Sequence, residues 1–359
     1  MDPYTPKLLP DAFGKLEYEA FMNELIDASA ALEVFVEKIK DSKVDRNIIL
    51  PTLQKKEALS SSAMEGTQAT LDEVFINQVT PSDVKDLNEV VNYQSAFSIG
   101  YKHLRRGDFD EELFLDIHRE LLTGNVRKTT GVIGEFRNTQ NCIRKKSGEI
   151  VYTPPKPELV QKLMDNLIEF MNRDNDQYRH LIRIAIIHAQ FETIHPFGDG
   201  NGRVGRIIVP LYLFAKEQLP EPFFFISEAL ERDIYKYYKL LMDTRVPGKW
   251  NEWIKYFLEI TCNQCRKYIG VFDRINELYE KTIDKACEIF KSSSVVPVVD
   301  ALFKYPVIDS KTMQKETGIS LATINRYLNT LSENGIVFSD GKQRNRHFFF
   351  YDLMAIIRE

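Results

Sequence analysis

The 359-residue sequence is poor in the side chains that mark several large protein classes. It holds two tryptophans, four cysteines and six histidines. The cysteines are Cys142, Cys262, Cys265 and Cys287. Only Cys262 and Cys265 form a CxxC pair, and no second pair completes a zinc site, so reduced thiols in a helical pattern are expected. No apolar run reaches membrane-spanning length, which removes a membrane from the expected partners. Basic residues number 47 against 52 acidic, a net charge of −5, which argues against a bulk nucleic-acid coat. There is no GxxxxGK(S/T) and no GxGxxG after a strand, so neither a P-loop nor a dinucleotide fingerprint is present. His188, Glu192 and His195 share one helical face but lack the HExxH order of a zinc protease. Residues 1–14 (MDPYTPKLLPDAFG) have no basic segment followed by an apolar one. No secretory signal is expected there, and a cytoplasmic location is. The hydrophobic fraction of 43% and charged fraction of 28% are those of a soluble globule. The length suffices for one large core and a smaller domain.

Against this background one stretch stands out. His195 to Arg206 reads HPFGDGNGRVGR. Glycines let backbone N–H groups come close to an anion. A helix starting there turns its positive end toward that anion. Arg203 and Arg206 can fork onto phosphate oxygens. Asp199 can hold a hard cation such as Mg²⁺ through oxygen. His195 is the one side chain of the stretch that takes up a proton near neutral pH. Upstream, Tyr178 to Ile194 carries apolar residues at intervals of three and four and predicts a buried helix. Downstream, Asn201 to Gln218 predicts another, with a kink at Pro210. The glycines therefore join two helices, and the pattern points to phosphoryl or nucleotidyl chemistry.

HPFGDGNGRVGR matches the motif HxFx(D/E)GNGRxxR of the Fic family, and the chain resembles that family from about Leu16 to Phe257. Gly131 to Pro155 resembles the family's β-hairpin flap, with Asn141, Cys142 and Ile143 before a polar KKSGE turn. Ser61 to Gly66 (SSAMEG) matches the inhibitory motif (S/T)xxxE(G/N). The resemblance implies transfer of AMP from ATP, with Mg²⁺, to a Tyr, Ser or Thr hydroxyl of a target protein or of the chain itself. It implies that His195 is the general base, that Phe197 anchors the loop, and that Asp199 binds Mg²⁺. Gly200, Asn201 and Gly202 would form the anion hole, and Arg203 and Arg206 would hold the outer phosphates. Tyr237 and Tyr238 would border the adenosine. Glu65, with Ser61, would pair with Arg206 and take the place of the γ-phosphate. The inhibitory helix is expected from about Pro51 to Gly66, with Gly66 as its stop. His118 reads as packing, and Arg137 as a local structural partner.

The C-terminal part has a different character. A long helix is expected from about Trp250 to Lys291, followed by a Ser292–Ser294 linker. Short helices over 295–304 and 310–317, a turn at Gly318, and a helix over Ser320–Asn334 capped by Ser320 follow. Two strands around a basic turn close the chain. This pattern resembles a winged helix-turn-helix. Its eight basic and seven acidic residues leave a weak electrostatic footprint for DNA. Thr323, Asn325 and Arg326 would face a groove. DNA and a protein contact, including a homodimer, both stand as its partners. The expected fold is thus mostly α. Its parts are an N-terminal helical region over 1–110 with the inhibitory helix at 51–66, a Fic core with a small hairpin over 111–257, a helix and linker over 258–294, and a winged helix over 295–359. AMP removal, another phosphoryl transfer, or a DNA-binding regulator that senses nucleotide are the alternatives to AMP transfer.

Overall fold

The computed structural model describes the whole chain apart from Met1, residues 126–130, 145–146 and 174–176, and Gln343, together with the side chain at 125. It is mostly helical with small antiparallel sheets. In chain order the helices and strands begin with α1 (Met22–Lys40), α2 (Arg46–Ala63), α3 (Leu71–Val79), α4 (Lys85–Leu104) and α5 (Glu111–Leu121). Strands β1 (Ile143–Arg144) and β2 (Ile150–Tyr152) follow, then α6 (Pro157–Asn172), α7 (His180–Ile194) and α8 (Asn201–Ala215). Next come α9 (Ser227–Arg232), α10 (Ile234–Asp243), α11 (Trp250–Phe290) and α12 (Val296–Lys304). The chain closes with β3 (Val307–Asp309), α13 (Ser310–Thr317), α14 (Leu321–Glu333), β4 (Phe338–Ser339), β5 (His347–Phe349) and α15 (Tyr351–Arg358).

Two compact units interleave along the chain. One takes the first 33 residues, Ser60–Thr67 and Asn88–Cys265; the other takes Val34–Leu59, Gln68–Leu87 and Arg266–Glu359. Residues of the expected 1–110 segment therefore fall into both.

The first unit is built around α7. Every residue from Leu181 to Ile194 is buried, the polar Arg183, His188, Gln190, Glu192 and Thr193 among a mostly apolar set. It packs against α6 and α8, and α5 packs against both of these. Trp253 of α11 is fully buried and its indole N–H donates to the Ala185 carbonyl at 2.8 Å. The flap is the antiparallel pair β1–β2, with Ile143 opposite Tyr152 and an irregularity beside Arg144. Lys145 and Lys146 of its expected turn lie outside the described residues.

In the second unit the sheet order is β3–β5–β4, both pairings antiparallel. Helices α12, α13 and α14 pack in sequence beside it, and α3 packs on β3. Ser320 caps α14 by accepting the Thr323 N–H at 3.3 Å, as its position in the sequence indicates. This arrangement is compatible with a winged helix.

Three local expectations differ from what is observed. Helix α2 starts at Arg46, five residues before Pro51, with the Asp45 side chain accepting from the Asn47 N–H. Burial of Ile49 and Leu53 outweighs the bond that Pro51 removes from the ladder. The expected linker at Ser292–Ser294 is a helical turn that leads straight into α12, capped by Ser292 and anchored by buried Val295. Strand β3 and helix α15 add to the expected C-terminal elements; three residues are too few for a periodicity to register.

Candidate active site

The HPFGDGNGR loop joins α7 to α8, and its shape follows from a few side chains that close on its backbone. His195 ends α7 in the left-handed region (φ 51°), where non-glycine residues are uncommon. What holds it there is Arg137, whose side chain is buried. Its guanidinium donates to the carbonyls of His195 (2.9 Å) and Pro155 (2.6 Å), and its backbone N–H to that of Pro196 (2.8 Å). Asn201 makes a reciprocal pair with Phe197. Its Oδ1 accepts the Phe197 N–H at 2.8 Å, and its Nδ2 donates to the Phe197 carbonyl at 2.9 Å. Asn141 donates to the same carbonyl at 3.1 Å and so ties the flap to the loop. Phe197 is fully buried, stacked on His118 with ring centroids 3.9 Å apart.

His118 takes a larger part than packing alone. Its Nδ1 accepts the Gly134 N–H at 3.0 Å, which leaves Nε2–H to donate to the Asp199 carbonyl at 3.1 Å. Burial pushes its pKa down to about 4, so it holds the loop as a neutral ring. His118 and Asp199 are 81 residues apart, and no local spacing signals their contact.

Helix α8 starts at Gly200 (φ 81°), which has no side chain to cap the first turn. The N–H groups of Asn201, Gly202 and Arg203 thus stand at the positive end of a helix without a side-chain cap. The Asn201 side chain is engaged by Phe197, so its backbone N–H is what it offers an anion. Asp199 turns one oxygen to the Gly200 N–H at 2.7 Å, while the other lies 3.9 Å from Arg203 Nη2. Arg203 is fully buried, with Nη1 3.9 Å from Glu89, whose carboxylate also accepts the Thr67 hydroxyl at 2.7 Å.

Arg206 is 1% exposed and faces the last turn of α2 and the residues just after it. It donates to the Ser61 hydroxyl at 2.8 Å, the Ser61 carbonyl at 2.9 Å and the Glu65 carboxylate at 2.8 Å. Burial alone would lower its pKa, but Glu65, with Tyr237 and Tyr238 behind it, holds it above its ordinary value. The Glu65 carboxylate lies over Gly202, where any Cβ would collide with it.

Of the two tyrosines, Tyr237 is 1% exposed and its hydroxyl meets His188 Nε2 at 3.0 Å, whereas Tyr238 is 43% exposed. Of the pair, Tyr238 is the one with exposed surface. His188 also donates from Nδ1 to the Gly205 carbonyl at 3.2 Å, so both its nitrogens are satisfied. Cys142 is a free, half-buried thiol in the flap strand region. Among the described residues no three His, Cys, Asp or Glu side chains gather into a metal cluster.

His195 has an 18% exposed side chain. Burial, with the Arg137 and Arg245 guanidiniums, pushes its pKa down to about 4 against the opposing influence of Glu65 and the Glu192 backbone. The ring is neutral at pH 7 and able to accept a proton.

The Fic/DOC family profile matches residues 108–213, and the profile of the Fic/DOC family N-terminal region matches residues 22–102. The chain belongs to the Fic/DOC family. Among its relatives, the probable protein adenylyltransferase aq_aa38 of Aquifex aeolicus is 28% identical over 164 residues, 45% of this chain and 48% of that protein. The protein adenylyltransferase Fic of Drosophila melanogaster is 27% identical over 176 residues, 46% of this chain and 34% of that protein. The chain spans half or less of the length of these two curated relatives. A solved Fic family protein from Desulfovibrio desulfuricans shares the fold, with a TM-score of 0.57, 20% identity, and coverage of 97% of this chain and 98% of that one. Fic-1 of Caenorhabditis elegans shares it over 70% of this chain and 74% of its own, with a TM-score of 0.52 and 19% identity.

The C-terminal groove candidates are largely engaged. Asn325 accepts the Ser310 hydroxyl at 2.6 Å, and the Thr323 and Ser320 hydroxyls lie 2.9 Å apart. Arg326 is exposed. No described helix is long and apolar enough to cross a membrane.

Proposed function

We propose that this Fic protein transfers AMP from ATP to a Tyr, Ser or Thr hydroxyl of a protein, and that Glu65 and Ser61 hold it inhibited. The observation that carries this reading is the Glu65 carboxylate on Arg206, over Gly202, at an uncapped helix start. A carboxylate bound there supports reading the helix start as an anion site. The relatives named adenylyltransferases supply the transferred group as an expectation.

In this reading the triphosphate lies on the first turn of α8, with Arg203 and Arg206 toward its outer phosphates and Tyr238 beside the adenosine. The α-phosphate comes to His195, which takes the proton of an incoming hydroxyl as that oxygen bonds to phosphorus. The phosphorus–oxygen bond to pyrophosphate breaks, and pyrophosphate leaves with the electron pair. The chain's share is positioning and charge stabilisation rather than a covalent intermediate. Asp199 offers one carboxylate oxygen at a partly exposed position, a donor set that fits Mg²⁺, which binds through one or two carboxylates, water and substrate phosphates. The ion would neutralise phosphate charge. The flap edge at Ile143 would align the target segment by strand addition.

The test uses α-labelled and γ-labelled ATP in parallel, with the parent, Glu65→Gly and His195→Ala proteins and lysate as acceptor. Label from α-ATP alone, raised in Glu65→Gly and lost in His195→Ala, is expected. Label from γ-ATP would replace AMP transfer with phosphate transfer. No label in any variant would favour AMP removal or a nucleotide sensor.

A further inference from the structure

One buried ionisable group in the core has no role in the scheme above. Glu192, one turn before His195 on α7, has a side chain that is 8% exposed. Its Oε2 lies 3.9 Å from His195 Nδ1. Beyond the weak influence of the Glu192 backbone on the ring, neither His195 Nδ1 nor Glu192 Oε1 reaches a partner within hydrogen-bond geometry among the described residues. A buried carboxyl left in that state is destabilising in a purely structural role. Room has been kept for it: a Cβ at Gly205 would sit 2.5 Å from Glu192 Oε1. The ring presents Nδ1 to Glu192, so Nε2 is the nitrogen left for a substrate proton.

We propose that Glu192 is the positioning residue of His195, fixing the ring with Nδ1 inward and balancing the charge that the ring gains when Nε2 takes the proton of the attacking hydroxyl. This rests on the AMP-transfer reading. The balance is simple. The hydroxyl proton moves to Nε2, the oxygen–phosphorus bond forms, and pyrophosphate departs. His195 is then an imidazolium whose Nδ1–H faces the Glu192 carboxylate, and it returns to neutral by releasing its proton to solvent. Glu192 accepts no proton in the cycle.

Ionised Glu192 is the form that does this. Burial raises its pKa to about 7, Arg206 and Arg245 oppose the rise, and Glu65 adds to it. Those groups, with Tyr237 and Tyr238 on α10 and His195 itself, are the ones that face it. Folding therefore favours its protonated form. The associated stability is complete below the ordinary carboxylate pKa and is lost as pH rises through about 7.

The test starts from the Glu65→Gly protein, to which Glu192→Gln and Glu192→Asp are added. Glu192→Gln should lower kcat by roughly 10- to 100-fold, less than loss of a whole general base. The KM for ATP should stay within about twofold, since Glu192 holds no phosphate. The acid limb of kcat near pH 7 should disappear, and Glu192→Asp should recover part of the rate. The same substitution should raise the melting temperature at pH 8, the opposite of a residue kept for packing. Independently of activity, the His195 ring-nitrogen resonances should move with a midpoint near 7 in the parent and stay still in Glu192→Gln. Parental kcat and pH profile in Glu192→Gln, or a His195 shift that persists without the carboxyl, would overturn the proposal. Should Glu65→Gly carry no label from α-ATP, the AMP-transfer reading fails, and the resonances still decide whether Glu192 acts on His195.

Discussion

Replacing Glu65 by glycine isolates the contact on which the proposed inhibition rests. Arg206 is almost wholly buried and gives Glu65 a 2.8 Å charge-assisted hydrogen bond. Such bonds contribute about 1.5–3 kcal/mol net. An outer phosphate that must displace the carboxylate loses that much, and each 1.4 kcal/mol is about tenfold. Glu65→Gly should therefore speed AMP transfer by roughly 10- to 150-fold at subsaturating ATP. Glu65→Gln keeps the size and a hydrogen bond but removes the charge, so its gain should be smaller, near tenfold at most. Glu65→Gly takes the carboxylate from Arg206 and leaves the Ser61 contacts, so the fold should melt at a lower temperature. ATP should restore more stability to the variant than to the parent, because a phosphate replaces the missing carboxylate. The assay pairs α-label incorporation with thermal melts across an ATP series. A variant that binds ATP yet transfers AMP within about twofold of the parent rate would refute the reasoning, since the lost contact would then have opposed nothing.

Thr67 tethers the inhibitory segment a second time, through Glu89 to Arg203. Thr67→Val should relieve the proposed inhibition by up to roughly 10- to 150-fold, the worth of one hydrogen bond to a carboxylate, in the same label assay; an unchanged rate would assign the whole restraint to Glu65 and Ser61. Arg137→Gln should lower kcat at least about a hundredfold with ATP affinity preserved by calorimetry, because an ångström of loop movement misplaces His195 without touching the phosphate site. Buried His118 and His188 keep pKa values of about 4, below the unfolded value. The unfolded chain thus binds protons that the fold refuses. Stability is complete above about pH 6.5 and falls as pH drops toward 4, by on the order of 3 kcal/mol per histidine. His188→Gln should flatten that acid limb in urea unfolding at pH 7 and pH 4.5, and an unchanged limb would mean that His188 stays neutral for no energetic reason.

The loop residues were legible because their chemistry is crowded into one short segment. His195, Asp199 and the two arginines carry their meaning in spacing, and Glu65 carries its meaning in a short motif beside a helix stop. Gly66, at φ 100°, ends that segment as its composition indicates. What holds the loop was not legible. His118, Arg137 and Glu89 act through contacts with distant parts of the chain, and each is an ordinary residue in its own neighbourhood. Tyr237 and Tyr238 look alike in sequence, yet tertiary packing buries one and exposes the other. The start of α2 escaped because Pro51 is a good helix opener locally and a tolerated interior residue once its neighbours are buried.

Gly202 bears on where activating mutations can arise. The missing side chain at that position makes room for the Glu65 carboxylate, and in the proposed reading the same room would receive the phosphate. A substitution there would remove the brake and the substrate together, so selection for a hyperactive protein would find nothing at 202. Gain-of-function alleles should instead collect at Ser61, Glu65 and Thr67. A genetic screen would see a short regulatory tract that mutates freely beside a catalytic helix that does not.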